Sequence, residues 1–470
     1  MNSMIKNIIV SHLVIALCFL GVRNSSAFTI GEEREVGEKL FYTVRSHFEV
    51  LDEPDLKQYL RGLGREVIKT AGVQFFNYHF YVIENKEFNA FAAPSGLIFF
   101  HSGLIEKMES ENELVSVLAH EIGHIVKRHI SSRIKKGTQI TAATMGLILA
   151  SIALGGGVAS QALMAGGMAA GQSASLHYSR LDEEEADLLA YGWMKELKRS
   201  PEGQVDMLKT MRQVARYRSG MIPQYLLTHP NPEARLDYVQ TLVAADKEEI
   251  KTFSKGDDFH FLRFKYRTMS LTRDGRYLRK YFASVITSPR ADRLNVTMAK
   301  YGMAQLDRKE NNYAESLKRL AEVIEELGEK PDLLVDKGII EFESGQVDKA
   351  YATLTAVYDA DRTDKYAAFS LAKVCFELGM LEKAENLLKS VMYEIPDLAK
   401  VYFELGKLSS IKGKTAEASY YLGKYHLYQG KLKQSRKNFN SAINSKGLPE
   451  ELHQDAKEGL EIIDRLEKDR

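Results

Sequence analysis

Along residues 28 to about 70, apolar side chains recur every three or four positions: Val36, Leu40 and Val44, then Leu56, Leu60, Leu63 and Val67. That spacing predicts helix, opened at Gly31-Glu32-Glu33. The period then changes. Tyr78, Phe80 and Val82 alternate with His79, Tyr81 and Ile83, and Phe88 to Ala92 leads through Pro94-Ser95-Gly96 into Leu97 to Phe100. These read as short strands joined by a turn. Helical spacing returns at Ser110, where Ser110 and Glu113 form a capping-box pattern. Val115, Leu118, Ile122, Ile125 and His129 make a buried stripe, with Val117, His120 and His124 on an adjacent face. His129 is expected at the end of this helix as a structural or surface residue.

Thr141 to Leu154 is almost uncharged and apolar, and three glycines separate it from a second Ala/Gly/Met run ending at Gly171. Each half is short for a bilayer span. A buried helical hairpin and a mobile flap are the two alternatives for residues 137 to 172. Membrane contact is at most peripheral, since the basic residues of a surface-lying helix are missing.

From residue 257 the pattern is helical with an internal repeat. Glu343 to Ala350 is echoed by Glu377 to Ala384 and by Ile411 to Ala418, and Gly345, Gly379 and Gly413 follow each other at 34 residues. This is the tetratricopeptide period, so stacked helix pairs are expected over residues 257–445, with a helical tail over 446–470. Gly338, Ala372 and Gly406 occupy the small position of each first helix, Asn311 and Ser316 mark an earlier degenerate copy, and Gly430 begins a closing pair. Cys375 falls at a first-helix core position, and Tyr402 and Tyr425 are expected as packing residues.

A chain of 470 residues exceeds one hydrophobic core and agrees with this division. Its net charge of +1, with cations scattered among acids, argues for no nucleic-acid partner. Residues 1–27 read as a secretory signal peptide: Lys6, an apolar run from Ile8 to Val22, and Ser25-Ser26-Ala27 before the cleavage point. The competing reading is an uncleaved anchor. Cleavage removes Lys6 and Arg23, taking the charge from +1 to −1, and leaves Cys375 alone, so no intrachain disulfide is expected.

Within the helix after Ser110 stands His120-Glu121-Ile122-Gly123-His124. Histidines four apart share a helical face and can bind one zinc ion, with the glutamate beside it as general base. By itself this pattern is only moderately specific. A third ligand must come from elsewhere, and Glu183 with Asp187, also four apart, lies on a helix face with Ala186 and Ala190, small enough for close approach to the first helix. Glu183 is the expected ligand and Asp187 its neighbour.

Together with Asn89-Ala90, Pro94-Ser95-Gly96, Ser179-Arg180, Thr228-His229-Pro230 and Arg235, these motifs resemble the M48 family of zinc metallopeptidases over residues 28–250. The resemblance implies an α+β zincin-like metalloprotease domain, mostly helical with a small sheet, ahead of the all-α tetratricopeptide solenoid. It implies one Zn2+ on His120, His124 and Glu183, with Glu121 and Asp187 catalytic. His229 and Arg235 are expected to stabilise the oxyanion. Alternatively His229 takes the fourth zinc position and makes the enzyme latent. An exposed strand edge at Asn89, Ala90 and Phe91 is the expected peptide-holding site. Pro94-Ser95-Gly96 stands where the family has Pro-Gly-Gly, which touches only backbone freedom at Ser95.

A signal peptide, such a domain and repeats together are similar to the periplasmic beta-barrel assembly-enhancing proteases of Gram-negative bacteria. That similarity implies unfolded or misassembled outer-membrane proteins as substrates and the outer-membrane assembly machinery as a partner of the repeats. The other reading is a chaperone or adaptor acting mainly through the repeats.

Overall fold

The computed structural model describes residues 29–136, 178–217 and 224–468. The signal-peptide reading of residues 1–27 and the hairpin or flap at 137–172 lie outside the described residues. Among the described residues no helix is long and apolar enough to cross a membrane.

The first predicted helical stretch is two helices, α1 (Ile30–His47) and α2 (Pro54–Ala71). Thr29 opens α1 with a full capping box to Glu32, and Pro54 at the first position of α2 fixes its start. Strands β1 (His79–Ile83), β2 (Ala90–Ala93) and β3 (Leu97–His101) form one sheet in the order β1-β3-β2. β1 runs parallel to β3 and β2 antiparallel.

The turn between β2 and β3 holds Ser95 at φ 71°. A residue with a Cβ pays about 1–2 kcal/mol for that left-handed conformation. Helix α1 packs onto this turn at Gly37, where a Cβ would stand 2.4 Å from that of Ser95.

Short α3 (Ser102–Lys107) leads to α4 (Glu111–Val126), the helix of the His-Glu motif. Ser110 Oγ accepts the Glu113 N–H at 3.3 Å, but the Glu113 carboxylate takes the Glu109 N–H at 3.1 Å, so the reciprocal half of the expected box is displaced by one residue. The two-faced helix read from the sequence is corrected too: every residue from Glu111 to Ile125 is buried. Helices α2, α6 (Arg180–Glu196) and α7 (Glu202–Tyr217), together with strand β2, surround α4.

Nor does α4 continue through His129. Arg128, at φ 52°, breaks it, and a new helix α5 (His129–Lys136) begins. Past α6 and α7 come α8 (Gln224–Thr228) and α9 (Pro232–Ala245).

Helices from Asp258–Thr272 to Glu450–Lys468 follow in antiparallel pairs. Gly345, Gly379 and Gly413 each take positive φ where the first helix of a pair ends, and Asn311, 34 residues before Gly345, takes the same conformation at φ 62°. Asparagine tolerates it better than most residues with a side chain. Tyr402, Tyr420, Tyr421 and Cys375 are buried, while Tyr425 is half-buried.

The sheet is the wall shared by two cores. Phe80, Val82, Ala92, Ile98 and Phe100 face the core built with α2, α4 and α7, and the first repeat helices contribute Phe261, Phe264 and Phe282 to it. Tyr81, Ile83, Phe91 and Phe99 face a second core with α1 and the later repeats. The change of sequence pattern near residue 257 is therefore no boundary in the core.

Buried charges cross the same junction. Arg45 meets Asp52 at 2.6 Å and donates to Tyr428 O, Lys57 meets Asp397 at 2.9 Å, and Arg263 joins Asp55 to Asp336. The repeats are thus docked on the domain that carries the sheet and α4 through both apolar and ionic contacts.

Candidate metal centre

Close packing of α4 on α6 builds the site. A Cβ on Gly123 would lie 3.3–3.5 Å from Ala186, so glycine opposite alanine lets the two helices touch along their backbones. A full capping box from Ser179 to Asp182 starts α6 one turn ahead of Glu183. His120, His124, Glu183 and His229 then point at one place from three elements, their ligand atoms all within 4.8 Å of one another and all four residues buried.

Measured edges are short. His120 Nε2 lies 3.0 Å from His124 Nε2 and 3.3 Å from His229 Nδ1, and His229 Nδ1 lies 3.0 Å from Glu183 Oε1. Glu183 Oε1 is 3.5 Å from His124 Nε2. Ligands about 2.0–2.1 Å from a common centre in a tetrahedron stand about 3.3 Å apart, so these four atoms fit a single zinc-sized ion.

Charge agrees with that fit. Two buried carboxylates, of Glu183 and Asp187, face one guanidinium, Arg235, and the buried Glu121 carboxyl lies on the other side of the cluster against Tyr225 and His229. Burial raises the Glu183 carboxyl, but His229 and Arg235 outweigh it and hold the group well below its usual range. Burial pushes His124 down, favouring the neutral imidazole a metal needs. His120 is pulled up to about 9: burial and Arg235 act against protonation, and Asp187 and Glu183 overcome them. One guanidinium leaves the second carboxylate to be balanced by that proton on His120, which a bound cation would replace. Glu183 Oε2 sits 2.6 Å from Arg235 Nη1 without the alignment of a hydrogen bond and, like His229 Nε2, has no hydrogen-bond partner among the described residues.

Two residues support rather than join this cluster. Asp187 Oδ1 is 3.0 Å from His120 Nδ1, the far side of a ligand ring, and both Asp187 oxygens accept from Arg235 at 2.7 Å. Gln204 adds a bond at 3.2 Å. Burial raises the Asp187 carboxyl, but Arg235 and His120 bring it down to about 2. Arg235 is expended on Asp187 and Glu183. That placement differs from the oxyanion role expected for it, because its guanidinium is buried between two carboxylates behind the ligands.

Glu121 lies beside the cluster. Its Oε2 accepts the Ala92 N–H at 2.8 Å, its Oε1 accepts from the Tyr225 hydroxyl at 3.3 Å, and His229 Nε2 is 3.5 Å away. The β2 edge expected to be exposed is therefore covered, and one of its amides is taken by this carboxylate. Asn89 O accepts the His101 N–H of β3, and the Phe91 ring lies on the opposite face, 5.0 Å from that of Phe99. Strand alternation leaves the main chain of Ala90 and Ala92 on the cleft side.

Residues 54–243 match Peptidase family M48, and residues 341–402 match the tetratricopeptide repeat. The chain is 27% identical over 392 residues to the beta-barrel assembly-enhancing protease of Escherichia coli (strain K12), covering 80% of this chain and 77% of that one. It is 30% identical over 219 residues to the protein of that name from Yersinia pestis, covering 46% of this chain and 45% of that one. It is 30% identical over 194 residues to metalloprotease YcaL of Escherichia coli (strain K12), covering 41% of this chain and 70% of that one. The chain belongs to peptidase family M48.

As an M48 metalloendopeptidase it carries site residues that the sequence did not announce. Tyr225 stacks on His229 with ring centroids 4.3 Å apart, and Tyr178 stacks on His124 at 3.8 Å. Tyr225 is one helical turn before His229, and that spacing was its only signal. His129 is buried, its Nδ1 2.9 Å from His124 Nδ1.

Proposed function

We propose that this chain is a periplasmic zinc endopeptidase that hydrolyses peptide bonds of misfolded or stalled outer-membrane proteins. The observation that carries the catalytic part is the convergence of His120, His124, Glu183 and His229 beside the Glu121 carboxylate. The setting is supported by the relatives named for beta-barrel assembly, of which the Escherichia coli protein aligns with 80% of this chain. In this reading the repeats bind substrate proteins or the assembly machinery, and export depends on residues 1–27.

His120, His124 and Glu183 would hold the zinc. When bound, it polarises the scissile carbonyl and lowers the pKa of water to about 7. Glu121 takes the proton of the attacking water and passes it to the leaving amine, a contribution of about 10²–10⁴ in rate. Asp187 fixes the His120 ring through Nδ1, and Arg235 keeps Asp187 and Glu183 ionised and in place. The main chain of Ala90 and the Ala92 carbonyl, which Glu121 does not engage, are the groups left for an extended peptide once the cover over β2 is displaced. The Tyr225 hydroxyl, a neutral donor because burial raises its pKa well above 10, faces the same space.

His229 shares the ligand cluster, and we assign it the latch: it occupies the position water needs until substrate or partner withdraws it. His229→Ala then raises proteolysis, whereas an oxyanion stabiliser would lose turnover. The catalytic assignment is tested by comparing wild type and Glu121→Gln on an unfolded outer-membrane β-barrel protein. Cleavage by wild type alone is expected. Equal cleavage by both sinks it, and absence of cleavage with retained suppression of aggregation favours the chaperone reading.

A further inference from the structure

The two histidines of the α4 motif differ in what holds their outer nitrogens. His120 Nδ1 meets a carboxylate directly, Asp187 at 3.0 Å. His124 Nδ1 instead meets a third imidazole, His129 Nδ1 at 2.9 Å, and His129 Nε2 lies 3.1 Å from Glu185 Oε2. His129 is 3% exposed, while the Glu185 side chain is half in solvent and pairs with Lys127.

Donor and acceptor logic gives this chain one direction. An imidazole that ligates through Nε2 carries its proton on Nδ1. His124 therefore donates to His129 Nδ1, which must accept, so His129 carries its own proton on Nε2 and donates to Glu185. Tyr178, stacked on the His124 ring, restrains the ring plane.

The backbone is bent to make this contact. The two histidines are five positions apart, and an uninterrupted helix would place them about 140° apart around its axis. The left-handed turn at Arg128 brings His129 back, and Glu33 of α1 holds the turn through Arg128 Nε at 2.8 Å and through Ser131. A non-glycine residue at positive φ, anchored from another helix, is a costly arrangement for mere packing.

We propose that His129 is a positioning residue for the metal centre: it sets the tautomer and orientation of His124 and connects that ligand to Glu185. This rests on His124 being a ligand. The test is the zinc dissociation constant of the full mature chain, measured by competition with a chromophoric chelator. His129→Leu is expected to weaken zinc about 10–100-fold, the usual effect of losing such an outer partner. His129→Asn, whose Oδ1 can stand where Nδ1 accepts, is expected to stay within about threefold of wild type by keeping the acceptor. Metal-free melting midpoints of the two variants should agree.

Zinc bound as tightly by His129→Leu as by wild type overturns the proposal. So does an equal loss of affinity in both variants, which marks His129 as packing only. If His129→Leu does not fold, Glu185→Ala carries the test at a half-exposed position: weaker zinc supports the chain of bonds, and unchanged affinity overturns it. His124→Ala is the control. If it holds zinc like wild type, the metal reading of the site fails, which is distinct from failure at His129 alone.

Discussion

Replacing Gly123 with alanine tests how tightly the centre depends on the α4–α6 contact. The new methyl carbon would sit 3.3 Å from Ala186 Cα, 3.4 Å from its oxygen and 3.5 Å from its Cβ. Comfortable carbon contacts lie at about 3.5–4.0 Å, so the helices must part by a few tenths of an ångström. Overpacking of this kind costs about 1–3 kcal/mol. Alanine in a helix interior is worth about 1 kcal/mol over glycine, so the net stability change is small.

The site is less forgiving. His120 and His124 stand on one helix and Glu183 on the other, and metal constellations tolerate about 0.5 Å of misplacement. A shift of a few tenths of an ångström uses most of that tolerance, so zinc affinity should fall by up to about tenfold, equivalent to about 1.4 kcal/mol, with a melting midpoint of the metal-free protein close to wild type. Chelator competition and thermal unfolding on the same sample separate the two effects. Unchanged affinity together with a gain of the full helix propensity would refute the reasoning, because it would mean the interface has room.

Arg235→Met leaves two buried carboxylates without their cation and should cost about 3–5 kcal/mol in chelator, with part of the loss restored by excess zinc; an unchanged midpoint in chelator counts against the clamp. Burial pushes the Glu113 carboxyl up to about 7 from 4.5, against the opposing hydrogen bond from Glu109 N–H. A folded pKa above the unfolded one means stability is full below 4.5 and declines as pH rises through 7, by up to about 3 kcal/mol. Glu113→Gln should therefore remove that decline between pH 5 and 8 in matched chelated samples, and parallel profiles would contradict it. A fragment of residues 28–250 should aggregate or melt far below the full chain, because Tyr81, Phe91 and Phe99 lose the cover of the later repeats; a monomeric, stable fragment would show that the junction is dispensable.

Much of the centre was legible because it obeys local rules. The spacing of four in His120 to His124 and in Glu183 to Asp187 fixes a shared helix face, and Ala186 anticipated the close approach that Gly123 completes. The repeats were legible for a similar reason, since glycine or asparagine must stand where the chain takes positive φ every 34 residues.

What stayed hidden depends on tertiary packing. Nothing in Arg128 signals a left-handed turn, so His129 was placed at the end of a helix it does not belong to. Ser110 and Glu113 fit a capping box, yet Glu113 bonds Glu109. Strand alternation gave both faces of the sheet, but it could not show that one of them is covered by repeats more than 200 residues away. Arg235 looked like a free cation until its two carboxylate partners were seen.

The central claim is that His120, His124 and Glu183 hold one catalytic zinc ion. Anomalous diffraction at the zinc edge, on crystals of the mature chain, addresses it most directly. The account predicts one peak per chain bonded to Nε2 of His120 and of His124 and to a Glu183 oxygen, with His229 at or near the fourth position. A peak elsewhere, or none at this cluster in zinc-saturated protein, would contradict it.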